Sequence, residues 1–195
     1  MATSRENKSI SMFKSALIGG GARPNLFEVE LTTLPAGITW SAENFRYMCK
    51  AASLPAQNIA AIDVPFRGRI FKVAGDRTID TWTVTIINDE GFALRNAFEE
   101  WTEQIAKLSN NLGATNPSEY MVNATVYQLG RGSTASSKTS DGEENVVLKE
   151  YEFQEIFPTN VSAIDVSYDT GDTIEEFTVE FQVNSISNTG AGDPN

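Results

Sequence analysis

The sequence predicts a mainly β (α+β) domain: an antiparallel β-sandwich or barrel of about seven to eight strands with one flanking α-helix. Several short stretches alternate between apolar and polar side chains, which is the period of a half-buried strand. One stretch instead repeats its apolar side chains at helical spacing. The 195 residues contain no internal repeat and no domain boundary, so a single core is expected to hold these elements.

The stretch Lys72–Glu90 organises this prediction. Gly75-Asp76 is typical of a turn, because glycine permits a positive φ and aspartate bonds nearby backbone N–H groups. The strand that follows places Trp82, Val84 and Ile86 on a core face, with threonines between them on the other face.

The helix is predicted over Phe92–Leu108. Asn88-Asp89-Glu90 offers an N-cap and an acidic first turn, and Gly113 and Pro117 lie beyond the end. The apolar side chains recur three and four residues apart and form one stripe, which comprises Leu94, Ala97, Phe98, Trp101, Ile105 and Leu108. We expect this helix to pack across one face or end of the sheet.

The N-terminal part begins with a flexible arm, residues 1–21, whose three final glycines lack the Gly-Lys-Ser/Thr of a phosphate-binding loop. Asn25–Thr32 alternates and is predicted as a strand with one wet side and with Phe27 in the core. Phe45–Ala51 is predicted as a second strand with its odd-numbered residues inward. Cys49 is therefore interpreted as a small core residue, with a reactive thiol as the alternative.

Leu54-Pro55-Ala56 interrupts the alternation, which resumes at Ile62–Val64. In Phe66–Ala74, Arg67 and Arg69 share a face with apolar side chains. This mixture predicts either an edge strand that charged residues protect from aggregation or an extended loop whose outer face meets another surface.

The C-terminal half continues with strands at Glu119–Leu129 and Val146–Phe157 and a last hairpin of Asn160–Tyr168 and Ile174–Asn184. Tyr151, Phe153 and Phe157 are expected to share one face of their strand. Residues 130–145, rich in glycine, serine and threonine, are predicted as an insertion loop. Residues 185–195 are predicted as a flexible tail because they are small and polar.

The sequence contains four blocks that resemble the tail tube proteins of contractile-tailed bacteriophages: ARPNLFEVEL at 22–31, CKAASLPA at 49–56, VAGDRTIDTWTVTIINDE at 73–90 and FPTNVSAID at 157–165. The blocks occur in the family's order. The resemblance implies a tail tube domain over 22–184, hexameric rings that stack into the inner tube of a tail, and a fold related to type VI secretion tube proteins.

The same resemblance implies the partners and the location of the protein. The partners are other copies of the chain, the sheath, the tape-measure protein and the baseplate, and double-stranded DNA passes through without specific binding. The location is the virion tail, with the host cytoplasm during assembly. If each of six subunits gives four strands, as in that family, the ring barrel exceeds the 16–18-stranded porins that already enclose an aqueous channel.

The net charge of −11 is unevenly distributed. Residues 46–77 carry six basic side chains against two aspartates, whereas residues 141–195 carry thirteen carboxylates against Lys149 alone. One interpretation is that the two charged segments form solvated faces. The other is that they form opposite poles that attract copies of the chain head to tail. An acidic protein without a larger basic cluster is a poor nucleic-acid binder, because neutralising phosphates drives that affinity.

Composition argues against an enzyme, a metal site and a cofactor. The chain has no histidine, the commonest general base and metal ligand. Glu150 and Glu180 are not a defined glycosidase pair, and Asp165, Asp169 and Asp172 lack the glycine and terminal glutamate of a calcium loop. The single cysteine forms no intrachain disulfide, no apolar run reaches the roughly 20 residues of a membrane span, and a secretory h-region is missing.

Three groups of residues are assigned roles. In the resembling family, extended connections reach neighbouring subunits. Contacts between subunits or rings are therefore expected from Arg67, Arg69, Lys72, Gly75, Asp76 and Arg77. An acidic channel lining is expected from Glu150, Glu152, Gln154, Thr178, Glu180 and Gln182. The core is expected to include Phe27, Trp82, Val84, Ile86, Phe98, Trp101, Phe177 and Phe181. Arg77 either pairs with Asp80 or Asp89 or makes an intersubunit contact.

Three alternatives remain. The tube of a type VI secretion or extracellular contractile injection system shares the expected fold and differs in cargo. A carbohydrate-binding sandwich needs exposed aromatic side chains, yet Trp82 and Trp101 lie on apolar faces and leave only Trp40. A histidine-free hydrolase is the enzyme alternative.

Overall fold

The computed structural model describes residues 10–17, 20–31, 33–133, 145–169 and 171–190 of the chain. The strands are β1 Phe27–Glu30, β2 Cys49–Ser53, β3 Gln57–Phe66, β4 Arg69–Ile79, β5 Trp82–Ile87, β6 Val122–Ser133, β7 Asn145–Val161, β8 Glu176–Gln182 and β9 Ser185–Gly190. The helices are α1 Ile10–Ala16, α2 Ala42–Met48 and α3 Ala93–Ile105, with a 3-10 turn at Pro117–Glu119. Every strand pairing is antiparallel, and the mainly β prediction is confirmed.

Strand β7 joins two layers. Its first half pairs with β6 and β9, and its second half pairs with β8, so the strands run in the order β1-β6-β7-β8-β5-β2 with β9 also on β7. We call β1, β6, β7 and β9 the first sheet, and β7, β8, β5 and β2 the second sheet. Strands β3 and β4 form a separate two-stranded sheet. Glu155 lies at the change of layer, with a left-handed φ of 55°.

The core lies between the two sheets and under α3. Trp82 packs against Phe153 and Phe181, with ring centroids 4.8 and 5.1 Å apart. Phe98 of α3 packs against Phe181 and Phe177 at 6.0 and 6.2 Å. Of the residues expected in the core, Phe27 is half-buried and packs against it, and the others are buried. Aromatic burial on this scale supplies much of the stability of a domain without disulfides.

Helix α3 has the expected stripe but different ends. It stops at Ile105, and Leu108 is 93% exposed. The cap residue is Phe92 in a left-handed conformation, and the Oδ1 atom of Asp89 accepts a hydrogen bond from the backbone N–H of Ala93 at 3.2 Å. The first turn itself contains no acidic residue. Across the described residues, no helix is long and apolar enough to cross a membrane.

The prediction of a strand at Phe45–Ala51 is wrong for its first half. Residues 42–48 form α2, because the Oγ atom of Ser41 caps the helix by accepting from the backbone N–H of Asn44. Phe45 is the buried residue of this helix, whereas Tyr47, which a strand would turn inward, is exposed. A short segment with few apolar residues fits both periods, and the Ser41 cap favours the helix.

The C-terminal strands differ from the prediction in three places. Because the chain bulges at Glu155, Ile156 and Pro158 are buried and Phe157 leaves the face of Tyr151 and Phe153. Strand β8 pairs with the end of β7 instead of with a separate strand, and residues 162–167 form no strand. Residues 185–190, expected in the tail, form β9 against β7. Most of the insertion at 130–145 lies outside the described residues, although β6 extends to Ser133.

Cys49 is expected to react slowly with alkylating reagents. Burial raises the pKa of its thiol from 9.0 to about 12. At pH 8 this lowers the reactive thiolate fraction about a thousandfold relative to an exposed cysteine. Iodoacetamide labelling followed by mass spectrometry checks this, with the protein in guanidinium chloride as the control. Equal labelling rates in the native and denatured protein contradict the prediction.

Candidate assembly surfaces

Strands β3 and β4 form a long exposed hairpin. The turn is Arg67–Gly68, where φ is 45° and 80°, so the prediction of a turn at Gly75-Asp76 is wrong. Every residue of β3 is exposed, and β4 is exposed except for two half-buried positions. Ten residues of β-strand span roughly 30 Å, so the hairpin extends well beyond the core.

Gly75 lies at a bulge inside β4. Ile59 pairs with Arg77 and Ala61 pairs with Ala74, so Gly75 and Asp76 together face a single residue of β3. A Cβ atom at Gly75 would lie 3.0 Å from Cγ1 of Ile62 and 3.1 Å from the carbonyl oxygen at position 60. Glycine is favoured here by the close approach of the neighbouring strand.

The two faces of the hairpin differ in chemistry. On one face lie the cross-strand pairs Ile62–Val73, Val64–Phe71 and Phe66–Arg69. Phe66 and Phe71 are each 67% exposed. The other face carries an ion pair between Nζ of Lys72 and Oδ1 of Asp63 at 2.7 Å. A contiguous, exposed apolar face of this kind is typical of a contact surface.

The structure places all six expected contact residues in β4 and its turn. The guanidinium carbon of Arg67 lies 5.5 Å from the centroid of the Phe66 ring. Arg77 takes part in none of the ion pairs found among the described residues, and Asp80 instead accepts a hydrogen bond from Nδ2 of Asn58 at 2.9 Å. The expected pairing of Arg77 with Asp80 or Asp89 is therefore not observed.

An acidic loop lies at the opposite end of the second sheet. Ser53 pairs with Thr83, and the hairpin connects these two strands at that end. Ile87 pairs with Glu176 at the other end, where residues 162–175 connect β7 to β8. We call residues 162–169 and 171–175 the acidic loop. The sequence prediction assigned this segment to a hairpin and did not identify it as a surface.

Glutamates line the outward face of the first sheet. The cross-strand register aligns Glu28 with Tyr127 and Tyr127 with Glu150, while the next row aligns Glu30, Thr125 and Glu152. The hydroxyl of Tyr127 donates to Oε2 of Glu30 at 3.2 Å. Burial raises the pKa of Tyr127, and the nearby carboxylates of Glu30 and Glu150 raise it further, so the hydroxyl stays protonated.

The expected lining residues divide between the two sheets. Glu150, Glu152 and Gln154 lie on the outward face of the first sheet, where Gln154 accepts a hydrogen bond from the hydroxyl of Ser185. Thr178 and Glu180 lie on the outward face of the second sheet opposite Thr85 and Thr83, and Gln182 aligns with Phe157. The prediction did not include Glu28 and Glu30, although the alternation of their strand had already placed both on its wet side.

Both sheets have strands with an open side. Among the described residues, β1 and β9 border the first sheet and β2 borders the second, each with a strand neighbour on one side only. The backbone groups on the open side are unpaired within the sheet, which makes such strands sites of association.

Trp40 does not provide an exposed binding platform. Its ring packs against Phe45 and Phe98, with centroids 5.1 and 5.5 Å apart, and its Nε1–H donates to the carbonyl oxygen of Leu31. The described residues also contain no group of three or more metal-ligating side chains. The packing of Trp40 removes the one tryptophan that the carbohydrate-binding interpretation had left as an exposed platform.

Comparison with known proteins identifies the family. The profile of the phage tail tube protein family matches residues 22–186. The chain is 38% identical over 161 residues to tail tube protein gp19 of Enterobacteria phage T4, covering 83% of this chain and 88% of that protein. The tail tube protein gp19 of Enterobacteria phage T6 matches to the same extent.

Two solved structures share the fold. The cap that terminates the tube of the anti-feeding prophage has a TM-score of 0.59 at 17% identity, with 98% of this chain and all of that chain covered. A chain of the sheath–tube complex of an extracellular contractile injection system, PVC, has a TM-score of 0.58 at 12% identity, with 95% and 100% covered. The resemblance found in the sequence is confirmed: the chain belongs to the phage tail tube protein family, the structural proteins of contractile phage tails.

Proposed function

We propose that this protein assembles into hexameric rings that stack into the inner tube of a contractile tail, and that the tube encloses an acidic channel for genome ejection. The single observation that supports stacking is the exposure, in the single chain, of the large apolar side chains of the hairpin β3–β4. Burying them against another copy removes this surface from water, at about 1.5–3 kcal/mol for each large side chain fully buried.

Ring closure uses the open strands. Strands β1 and β9 border a four-stranded first sheet, so pairing the edge of one copy with that of the next continues the sheet around a ring. Closed point-group symmetry then satisfies all such edges at once. Strand β9 extends the domain of residues 22–184 expected from the sequence, so the domain that forms the ring is residues 22–190, with the arm 1–21 and most of the insertion 130–145 outside it.

The channel wall is the outward face that carries the glutamates. Glu30, Glu150 and Glu152 form its acidic part and Gln154 continues it, whereas Glu28 is paired with Arg46. Thr178, Glu180 and Gln182 are not assigned to this wall, because they belong to the outward face of the second sheet, on the opposite side of the core. Such a wall repels phosphates over about 8–10 Å, the Debye length near physiological salt. Double-stranded DNA then passes along the channel without binding to it.

Stacking joins the basic hairpin of one ring to an acidic surface of the next. Because the two contacting surfaces differ, the contact is heterologous and growth is open-ended, as a tube requires. The sheath, tape-measure and baseplate proteins are the further partners, and the tail of the virion is the location, reached after assembly in the host cytoplasm. The protein performs this role as a structural component without catalysis.

The tube of an extracellular contractile injection system is the second candidate, favoured by the shared fold of its sheath–tube complex. That likeness is at 12% identity and concerns the fold, whereas the identity to the phage T4 tube protein is 38% over most of both chains. A phage tail is therefore the better supported assembly.

Electron microscopy of the purified protein tests the proposal. We expect rings or tubes from the unmodified chain, and folded protein without tubes from the double variant Arg67→Glu, Arg69→Glu, because the reversal introduces like-charge repulsion at the hairpin tip. The matched control is Arg23→Glu, Lys107→Glu, two exposed basic residues outside the hairpin. Unmodified protein that stays monomeric at high concentration contradicts the assembly, and a cryo-EM map with Glu150 and Glu152 away from the channel contradicts the wall.

A further inference from the structure

The acidic loop combines exposed carboxylates with exposed apolar side chains. Val166 is 81% exposed, and Tyr168 and Ile174 are also fully or largely exposed. The side chains that give the loop its surface chemistry are Asp165, Val166, Tyr168, Asp169, Asp172 and Ile174. The acidic loop contains Asp165, Asp169, Asp172 and Glu175 and no basic residue, so it carries a charge of −4.

The hairpin offers the matching chemistry. Residues 57–79 carry Arg67, Arg69, Lys72 and Arg77 against Asp63 and Asp76, a charge of +2. Its apolar face is exposed next to these charges, as the apolar side chains of the loop are next to the aspartates. Each surface therefore complements the other in both charge and apolar area, which favours association and fixes its orientation.

The two surfaces also lie where a stacked assembly needs them. The hairpin leaves the second sheet at the end where Ser53 and Thr83 pair, and the acidic loop lies at the end where Ile87 and Glu176 pair. A second copy moved along the strand direction, without being turned over, presents its acidic loop to the hairpin of the first. The roughly 30 Å length of the hairpin allows it to reach the next copy.

We infer that the acidic loop is the receiving surface for the hairpin of the neighbouring ring. The tip arginines of one copy contact Asp165 and Asp169 of the next, and Phe66 and Phe71 pack against Val166 and Tyr168. This inference rests on the proposed function and assigns the partner of its hairpin to one segment of the same chain.

Charge exchange between the two surfaces tests the inference. The loop variant is Asp165→Lys, Asp169→Lys; the hairpin variant is Arg67→Glu, Arg69→Glu; and the combined variant carries all four changes. The control is Glu100→Lys, Glu119→Lys, two exposed acidic residues outside the loop. Circular dichroism and thermal melting establish that each variant folds, and electron microscopy at physiological salt measures tube length.

We expect the loop variant and the hairpin variant each to shorten tubes at least tenfold, whereas the control forms tubes of normal length. The combined variant restores tubes. Mixing the loop variant with the hairpin variant also gives tubes, because each surface of one variant then contacts an oppositely charged surface of the other. A folded loop variant that forms normal tubes, or a folded combined variant that does not, overturns the inference while leaving the tube function intact. Unmodified protein that forms no tubes overturns the function itself.

Discussion

Replacing both Phe66 and Phe71 by serine is expected to prevent tube formation at concentrations where the unmodified chain assembles, while the single chain stays folded. Each ring is 67% exposed in the single chain, so its loss removes little packing within the domain. In the assembled tube each phenylalanine contributes up to about 1.5–3 kcal/mol by leaving water. Because 1.4 kcal/mol corresponds to a factor of about ten, losing both raises the concentration needed for assembly about a hundredfold or more.

Sedimentation of tubes over a range of protein concentrations measures this effect. The matched control is Phe92→Ser, which removes a large apolar side chain, 42% exposed, that is outside the hairpin. The control is expected to keep the normal concentration for assembly. If the double variant assembles at the same concentration as the unmodified chain, the apolar face of the hairpin does not contribute to stacking.

Replacing Trp82 by alanine is expected to lower the free energy of unfolding by about 3–5 kcal/mol, because a large cavity opens in the core. Trp82 is fully buried between Phe153 and Phe181. For a domain of this size the loss corresponds to a fall in the melting temperature of roughly 6–20 °C. Urea unfolding followed by circular dichroism measures the change.

Two further variants separate the effect of lost core volume from the effect of lower β-propensity in the strand. Trp82→Phe is expected to cost less than half as much, because it keeps most of the ring volume and the indole N–H has no hydrogen-bond partner among the described residues. Thr83→Ala, on the outward face of the same strand, is expected to cost about 1 kcal/mol through lower β-propensity. A loss at Trp82→Ala no larger than at Thr83→Ala would mean that the inward face of β5 is misassigned.

The sequence by itself determined the elements in which one period is unambiguous. Trp82, Val84 and Ile86 alternate strictly and are buried, and the stripe from Leu94 to Trp101 is the buried face of α3. Such patterns follow from burying one face of a regular backbone, so they need no knowledge of the neighbours. The sequence also identified the family, because four blocks of residues in a fixed order carry the resemblance.

The tertiary structure alone decided where those patterns break and which surfaces are brought together. The bulge at Glu155 turns Phe157 away from Phe153, and Gly75 forms a bulge inside β4 while the hairpin turn lies at Arg67–Gly68. A single extra residue in a strand reverses every following side chain, and the alternation around it gives no sign of this. The placement of the basic hairpin and the acidic loop at opposite ends of one sheet depends on pairings between residues far apart in the chain, which no local pattern contains.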